Sequence, residues 1–274
     1  MADGQAIISP DNRSFKYGDG CFETMKVIDG EVLLHHLHFQ RLFSSLQTLQ
    51  FTVPAFFTPA YLIKQILELL HLNLHQQHAR VRLVVYRGNG GLHDLDDHNP
   101  HFIIQTWPGS KDSNNYDSKG LTAGFFPDAK KSADAFSSIK SNNYLGYAMG
   151  AIWAKKHQLN EGFLTNAFGR VADATIANIF IIHNAVIKTP ALSEGCVNGV
   201  MRRYLLQRFA AEGMAFYEAE ITQEELLDAS EVFLTNAIYG IRWVKSVGGS
   251  NYTNETSALL YKKFISPLFN STTI

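Results

Sequence analysis

The segment 108-PGSKDSNNYDSKG-120 is poor in apolar side chains and rich in Ser, Asn, Asp and Gly, so it has little to bury on any face. No strand or helix of a core is expected to run through it. The chain therefore divides into residues 1–113, a linker at 114–120 and residues 121–274. Both parts fall in the size range in which a chain can close a core of its own.

Hydrophobic periodicity sets the class. Phe22 to Ile28 reads as a strand that meets Asp29-Gly30, a type I′ turn signal, and resumes at Val32 and Leu33. Residues 35–49 then switch to helical spacing, with Leu42, Leu46 and Leu49 in step. A second helix is expected over 58–72, with Thr58 as N-cap and Pro59 in the first turn. Apolar runs at 80–87 and 101–107 complete a small α/β unit. Past the linker come a strand near 121–126 and a helix over about 142–157, capped by Ser141 or Asn142, with Leu145, Ala148, Met149 and Ile152 on one face. Strand-like runs follow at 162–166, 171–182 and 186–190, then a helix at 199–213 closed by Gly213, and strands at 215–220 and 231–236. The expected class is α/β or α+β in two parts, without internal repeats.

Composition removes several functions. With 46% hydrophobic residues the chain has ample material for a core. The balance of 24 basic against 25 acidic residues lacks the basic footprint of a nucleic-acid binder. Cys21 and Cys196 cannot make a disulfide framework or a four-thiolate zinc site, which makes a reducing, cytoplasmic setting the expectation. The greasiest stretch, 61–72, is broken by Lys, Gln and Glu and falls short of a membrane span. The opening residues have no basic flank followed by an apolar run, so no leader is read there. His71, His75 and His78 lack an acidic third ligand in register, and no metal is expected. The glycines of 88-GNGG-91 do not lead from a strand into a helix with dinucleotide spacing.

Three residues carry candidate chemistry. Lys140, in SSIKSNNYLG just before a helix, can form a Schiff base if desolvation lowers its pKa; in isolation it reads as a solvated surface lysine. Asp173, among Val, Ala, Thr and Ile, needs a partner if buried, and a protonated pyridine nitrogen is one. The alternative is an edge carboxylate facing water. Arg41 has the donor fork for a phosphate, or is simply the wet face of its helix. Backbone N–H groups at 198-NGVM-201 and at the 235–237 turn offer further anion contacts.

Taken in order, YGDGCFETMKVIDG (17–30), HFQRL (38–42), KSNNYL (140–145), GRVADATIANIF (169–180), VNGVMR (197–202) and FLTNAIYGI (233–241) resemble the class IV aminotransferase superfamily, fold-type IV enzymes that use pyridoxal 5′-phosphate (PLP). The resemblance spans nearly the whole chain. It implies a small N-terminal α/β domain, a larger C-terminal pseudo-barrel domain, PLP between them and a homodimer. It gives Lys140 the role of Schiff-base lysine and proton carrier, and Asp173 that of partner to the ring nitrogen. Arg41, the backbone of Val200 and Met201, and the Asn236–Ala237 turn match the phosphate contacts, and Tyr144 stands near the cofactor's phenolic oxygen. Within the superfamily the motifs look most like the lyases that convert 4-amino-4-deoxychorismate to 4-aminobenzoate and pyruvate for folate synthesis. A transaminase of branched-chain or D-amino acids is the alternative, and a non-catalytic PLP-fold binding protein a third. The substrate is thus a small amine, with Phe22, Arg87 and Arg242 as its candidate contacts. Three positions depart from the pattern: Asp173 replaces a Glu, Leu92 stands where the lyases have a second Arg, and Trp243 replaces a Pro.

Overall fold

The Asp29-Gly30 turn closes as its residues dictate, both with positive φ (49° and 80°), joining β1 (Gly20–Ile28) to β2 (Glu31–Val32) in antiparallel register. The computed structural model in which this is seen describes residues 8–93 and 97–270. The first residues, read above for a leader, and the end of the 87–95 loop lie outside the described residues. A short helix, α1 (Arg13–Tyr17), precedes β1. Helix α2 (His35–Thr48) follows the hairpin, and in α3 (Pro59–Leu72) Thr58 Oγ1 accepts the Tyr61 N–H at 3.2 Å, as an N-cap should. With β3 (His78–Tyr86) and β4 (His101–Pro108) the first sheet is complete, in the order β2-β1-β3-β4. Alternation along β3 puts Ala79, Val81, Leu83 and Val85 into one core with Leu42, Leu46, Leu62 and Ile66 of the two helices. Arg80 and Arg82 point to the opposite face.

The remaining strands form one mixed sheet. They are β5 (Leu121–Lys131), β6 (Glu161–Asn166), β7 (Val171–Ala174), β8 (Asn178–His183), β9 (Val186–Pro190), β10 (Phe216–Ala219), β11 (Glu231–Asn236), β12 (Gly240–Val247) and β13 (Ser250–Asn251). The ladder runs β10-β9-β8-β11-β12-β5-β6-β7, with β13 on β12. This order forces curvature. Five ladder steps separate β8 from β7, about 24 Å if flat at a spacing of about 4.8 Å. Only residues 175–177 connect the two strands, and three residues reach about 10 Å. The sheet must curl until its end strand returns beside β8. Among the helices that pack with this sheet are α4 (Leu145–Lys156), which contacts β5 and β6, and α5 (Val200–Ala211), which contacts β11.

Several expectations needed correction. The run 171–182 is two strands, because Thr175 to Ala177 turn the chain. Helix α4 begins at Leu145 with Tyr144 as its N-cap, not at Ser141 or Asn142, because Ser141 is already bridged to Cys21 of β1. Its aligned apolar residues Leu145, Met149 and Ile152 face outward, at 70%, 45% and 60% exposure, while Tyr147, Gly150 and Ala154 are buried. The polar stretch 108–120 carries a 3₁₀ turn, Lys111–Asn114.

Candidate active site

Lys140 sits where the two sheets are tied. The Phe22 N–H of β1 donates to the Lys140 carbonyl and the Asn142 N–H to the Gly20 carbonyl, both at 2.9 Å. This ladder fixes the backbone of 140–142 against β1 and lays the Lys140 side chain over aromatic faces. Its Nζ is 4.5 Å from the Phe22 ring centre and 5.5 Å from that of Tyr144. Burial lowers the ammonium to about 8; Arg41 and Arg82 push the same way, against Glu23 and Asp173. A freely solvated lysine does not have these surroundings.

Asp173 on β7 is 2% exposed, so the water-facing alternative fails. Its Oδ2 accepts the Tyr147 hydroxyl and the Val197 N–H, each at 2.8 Å, and its Oδ1 accepts Asn178 Nδ2 at 2.9 Å. Burial raises the carboxyl to about 6, despite Lys131 and these donors. It is therefore ionised at neutral pH. A carboxylate has about four acceptor positions, so three donors leave room for one more. Tyr144 stacks on Tyr147, with ring centres 4.4 Å apart, and turns its hydroxyl to the Thr175 carbonyl at 2.9 Å.

Arg41 is buried within α2 and held by β1. Its Nε donates to Glu23 Oε1 at 2.8 Å, its Nη2 to Oε2 at 2.5 Å and its Nη1 to the Asn198 carbonyl at 3.0 Å. His38, one turn earlier, places Nδ1 2.6 Å from Glu23 Oε2. Burial would raise the Glu23 carboxyl, but Arg41 and then His38 hold it at about 2. Burial also keeps His38 below its usual range, so it donates from Nδ1 as a neutral ring.

Beside Arg41, Gly199 begins α5 without a side-chain cap, which leaves the first N–H groups, those of Val200 and Met201, for other acceptors. A Cβ at Gly199 would lie 1.8 Å from Asn178 Oδ1. Asn178 cannot swing away, because its Nδ2 also donates to the Val197 carbonyl at 2.7 Å. Gly199→Ala is thus expected to cost about 1–3 kcal/mol, seen as a lower unfolding midpoint. Across the cleft, Asn236 Oδ1 accepts the N–H groups of Ile238 and Tyr239 at 3.0 and 2.9 Å and shapes the turn that carries Ala237. Thr235 Oγ1 is buried there without a partner.

Phe22, Arg41, Lys140, Tyr144 and Asp173 all line one cavity of about 270 Å³, together with Val200, Met201, Asn236 and Ala237. Arg87 does not reach it. Its Nε donates to Asp19 at 3.1 Å, its Nη1 to the Gln50 carbonyl at 3.2 Å, and Nη2 to the Leu49 carbonyl. Arg242 lies outside that lining, over the Tyr239 ring at 4.9 Å, and Leu92 is exposed. The cavity's further positive charge comes instead from Arg80 and Arg82 on β3. Thr24 of β1 pairs with Arg82, and the Arg82 guanidinium lies 4.2 Å from the Phe22 ring centre. Among the described residues neither arginine is in an ion pair. The alternation of Arg80 and Arg82 with Val81 and Leu83 was the available signal for this pair. Glu23, Tyr147, Asn178 and Thr235 were missed as well; each acts through a partner distant in sequence or through a turn.

Among the described residues no helix is long and apolar enough to cross a membrane, and no His/Cys/Asp/Glu cluster could hold a metal. The sequence profile of the amino-transferase class IV family matches residues 20–247. A Methanocaldococcus jannaschii protein provisionally named a branched-chain-amino-acid aminotransferase is 29% identical over 94% of this chain and 88% of its own. An aminodeoxychorismate lyase of Vibrio harveyi is 26% identical over 86% of each chain. In fold, the branched-chain aminotransferase of Thermoproteus uzoniensis superposes with a TM-score of 0.87 at 22% identity, covering 100% of this chain and 93% of that one.

Proposed function

Because this chain belongs to the class IV aminotransferase family, whose enzymes depend on PLP, we propose that its cavity holds PLP and works as an aminodeoxychorismate lyase. The observation that carries the lyase reading is the pair Arg80 and Arg82, unpaired guanidiniums facing the same cavity as Lys140. A substrate bearing two carboxylates matches them. The relatedness to the Vibrio harveyi enzyme supports the same reading.

The residues present fit the cofactor. The N–H groups at the start of α5 have no side-chain cap, Thr235 Oγ1 is a buried polar atom lacking a partner, and Arg41 brings a fixed positive charge. Arg41, the Val200 and Met201 N–H groups, Thr235 Oγ1 and the Asn236–Ala237 turn would take the phosphate. Asp173, ionised and with an acceptor position left, would hold a proton on the ring nitrogen. Bound there, PLP draws electrons from the amine-bearing carbon of the substrate and so acidifies its proton. Lys140 Nζ, neutral above about pH 8, would take that proton as the ring-carbon–oxygen bond to the enolpyruvyl group breaks, and would pass it to the departing enolpyruvate, which thereby becomes pyruvate. Phe22 and Tyr144 wall the amine of Lys140 from water. The two sheets are read as two domains joined at 114–120, and the exposed apolar row on α4 supports a second copy of the chain as partner.

Arg82→Gln is expected to raise KM for aminodeoxychorismate by about 10- to 100-fold, the range of one lost charge-assisted hydrogen bond. Steady-state kinetics will show kcat changing much less.

A transaminase is the second reading, favoured by the 29% identity to the Methanocaldococcus jannaschii protein. The deciding experiment supplies the purified holoenzyme with aminodeoxychorismate and, separately, with branched-chain or D-amino acids plus 2-oxoglutarate. Production of 4-aminobenzoate and pyruvate supports the lyase. Glutamate without either product rejects it, and tight PLP binding with no turnover of any amine points to a binding protein instead.

A further inference from the structure

Arg80 stands between two cavities. On one side is the pocket of Lys140; on the other is a second space of about 600 Å³ that shares Arg80, Ile238 and Tyr239 with the first. Its walls are the ends of β1 and β3, the stretch after β4 and the turn before β12, so it continues the catalytic cleft toward the linker.

The polar groups there are unevenly satisfied. Lys26, 4% exposed, donates from Nζ to the Ser113 carbonyl at 3.1 Å, to Ser113 Oγ at 3.0 Å and to the Ile238 carbonyl at 2.8 Å. It thereby pins the 3₁₀ turn at Lys111–Asn114 to the turn before β12, and among the described residues its charge is in no ion pair. Arg80 lies over the Trp107 ring at 5.2 Å and Arg242 over the Tyr239 ring at 4.9 Å. Neither has a carboxylate oxygen within 4.0 Å among the described residues, although Glu161 faces Arg242 at longer range. His78 Nδ1 is buried without a partner. Against these cations the lining offers Asp112 and Asp117. Guanidiniums held over rings with no carboxylate in contact among the described residues, next to an orphaned ring nitrogen, suit an anion that arrives from outside.

We infer that this second cavity is a carboxylate subsite, in which a substrate whose amine reacts beside Lys140 extends past Arg80 and lodges a distal carboxylate against Arg80, Arg242 and His78. The substrate class is then an amine with two separated carboxylates. The inference deepens the lyase reading and rests on it for the identity of the substrate, but its test needs no turnover. Arg82 would hold the inner carboxylate. Arg242 reaches only the outer one.

The test uses the PLP-loaded enzyme and a matched pair of inert probes, 3-(carboxymethoxy)benzoate and 3-methoxybenzoate, which differ in one distal carboxylate. Calorimetric titration of the wild type is expected to give at least about tenfold tighter binding of the dicarboxylate. Arg242→Gln should abolish most of that preference and leave the monocarboxylate unchanged, while Arg242→Lys should retain much of it. Equal affinities in the wild type overturn the subsite, as does a preference that survives Arg242→Gln. The wild-type comparison stands even if a variant folds badly. If the subsite is present and 4-aminobenzoate never forms, the reaction was misread and the carboxylate site was not.

Discussion

Replacing Lys140 with alanine is expected to reduce turnover of any amine substrate by about 10⁴-fold or more, since the proposed roles of Lys140 as proton carrier and as covalent hold on PLP would both be lost. The fold should survive. The Lys140 ammonium has its pKa lowered from 10.5 to about 8 by burial, with Arg41 and Arg82 adding to the effect against Glu23 and Asp173. A lysine whose folded pKa lies below its unfolded one opposes folding while it is charged, so near neutral pH its removal relieves a cost. The thermal midpoint of Lys140→Ala is therefore expected at or slightly above that of the wild type. The same shift makes a kinetic statement. Only the neutral amine attacks the cofactor's aldehyde, so capture of PLP by the wild-type apoenzyme should accelerate as pH rises through about 8 and then level off. Absorbance-detected mixing experiments across about pH 6 to 12 bracket the ordinary lysine range as well. A midpoint near the ordinary lysine value, or a flat profile, would remove burial as the source of the reactive amine.

The outcome at individual residues separates what was readable in the sequence from what was not. Asp29-Gly30 determined its turn because the two residues that need positive φ are also the two that tolerate it. Thr58 declared α3 in the same local way. Lys140, Asp173 and Arg41 could be singled out by type and motif, but their burial could not, since it comes from β1 meeting residues 140–142. Arg87 and Arg242 were the arginines closest to the departing motif positions, yet Arg87 is held by Asp19, Gln50 and Leu49. Arg80 and Arg82 show the opposite failure. Alternation placed them on one face of β3, but which face looks onto the cleft depends on the pairing of Thr24 with Arg82 across the sheet. For α4, periodicity aligned Leu145, Met149 and Ile152 without revealing that this face points outward. Local patterns report a face, and only long-range packing decides what it meets.

Glu23→Gln, close to the wild type in shape, is expected to cost about 3–5 kcal/mol, the usual price of leaving one member of a buried ion pair alone. The wild-type carboxylate receives Arg41 through both oxygens and His38 through one, at 2% side-chain exposure. With Gln, Arg41 stays buried but loses its counter-charge, and the amide nitrogen turns a donor toward a donor. Arg41 then retains only the Asn198 carbonyl to fix its direction. If Arg41 takes the phosphate as proposed, PLP affinity should fall by at least about tenfold, because an arginine that must be reordered on binding gives up that part of its interaction. Equilibrium dialysis of PLP reads this apart from stability. The pH dependence identifies the cause. Glu23 has a folded pKa of about 2 against an ordinary 4.5, so its stabilisation is fully present above about 4.5 and is lost as pH falls through about 2. The gap between wild-type and Glu23→Gln unfolding free energies should accordingly stay constant from neutral pH down to about 5 and narrow steadily below that. A gap that does not change with acid would mean that Glu23 contributes packing alone, and that Arg41 keeps its direction without a charged partner.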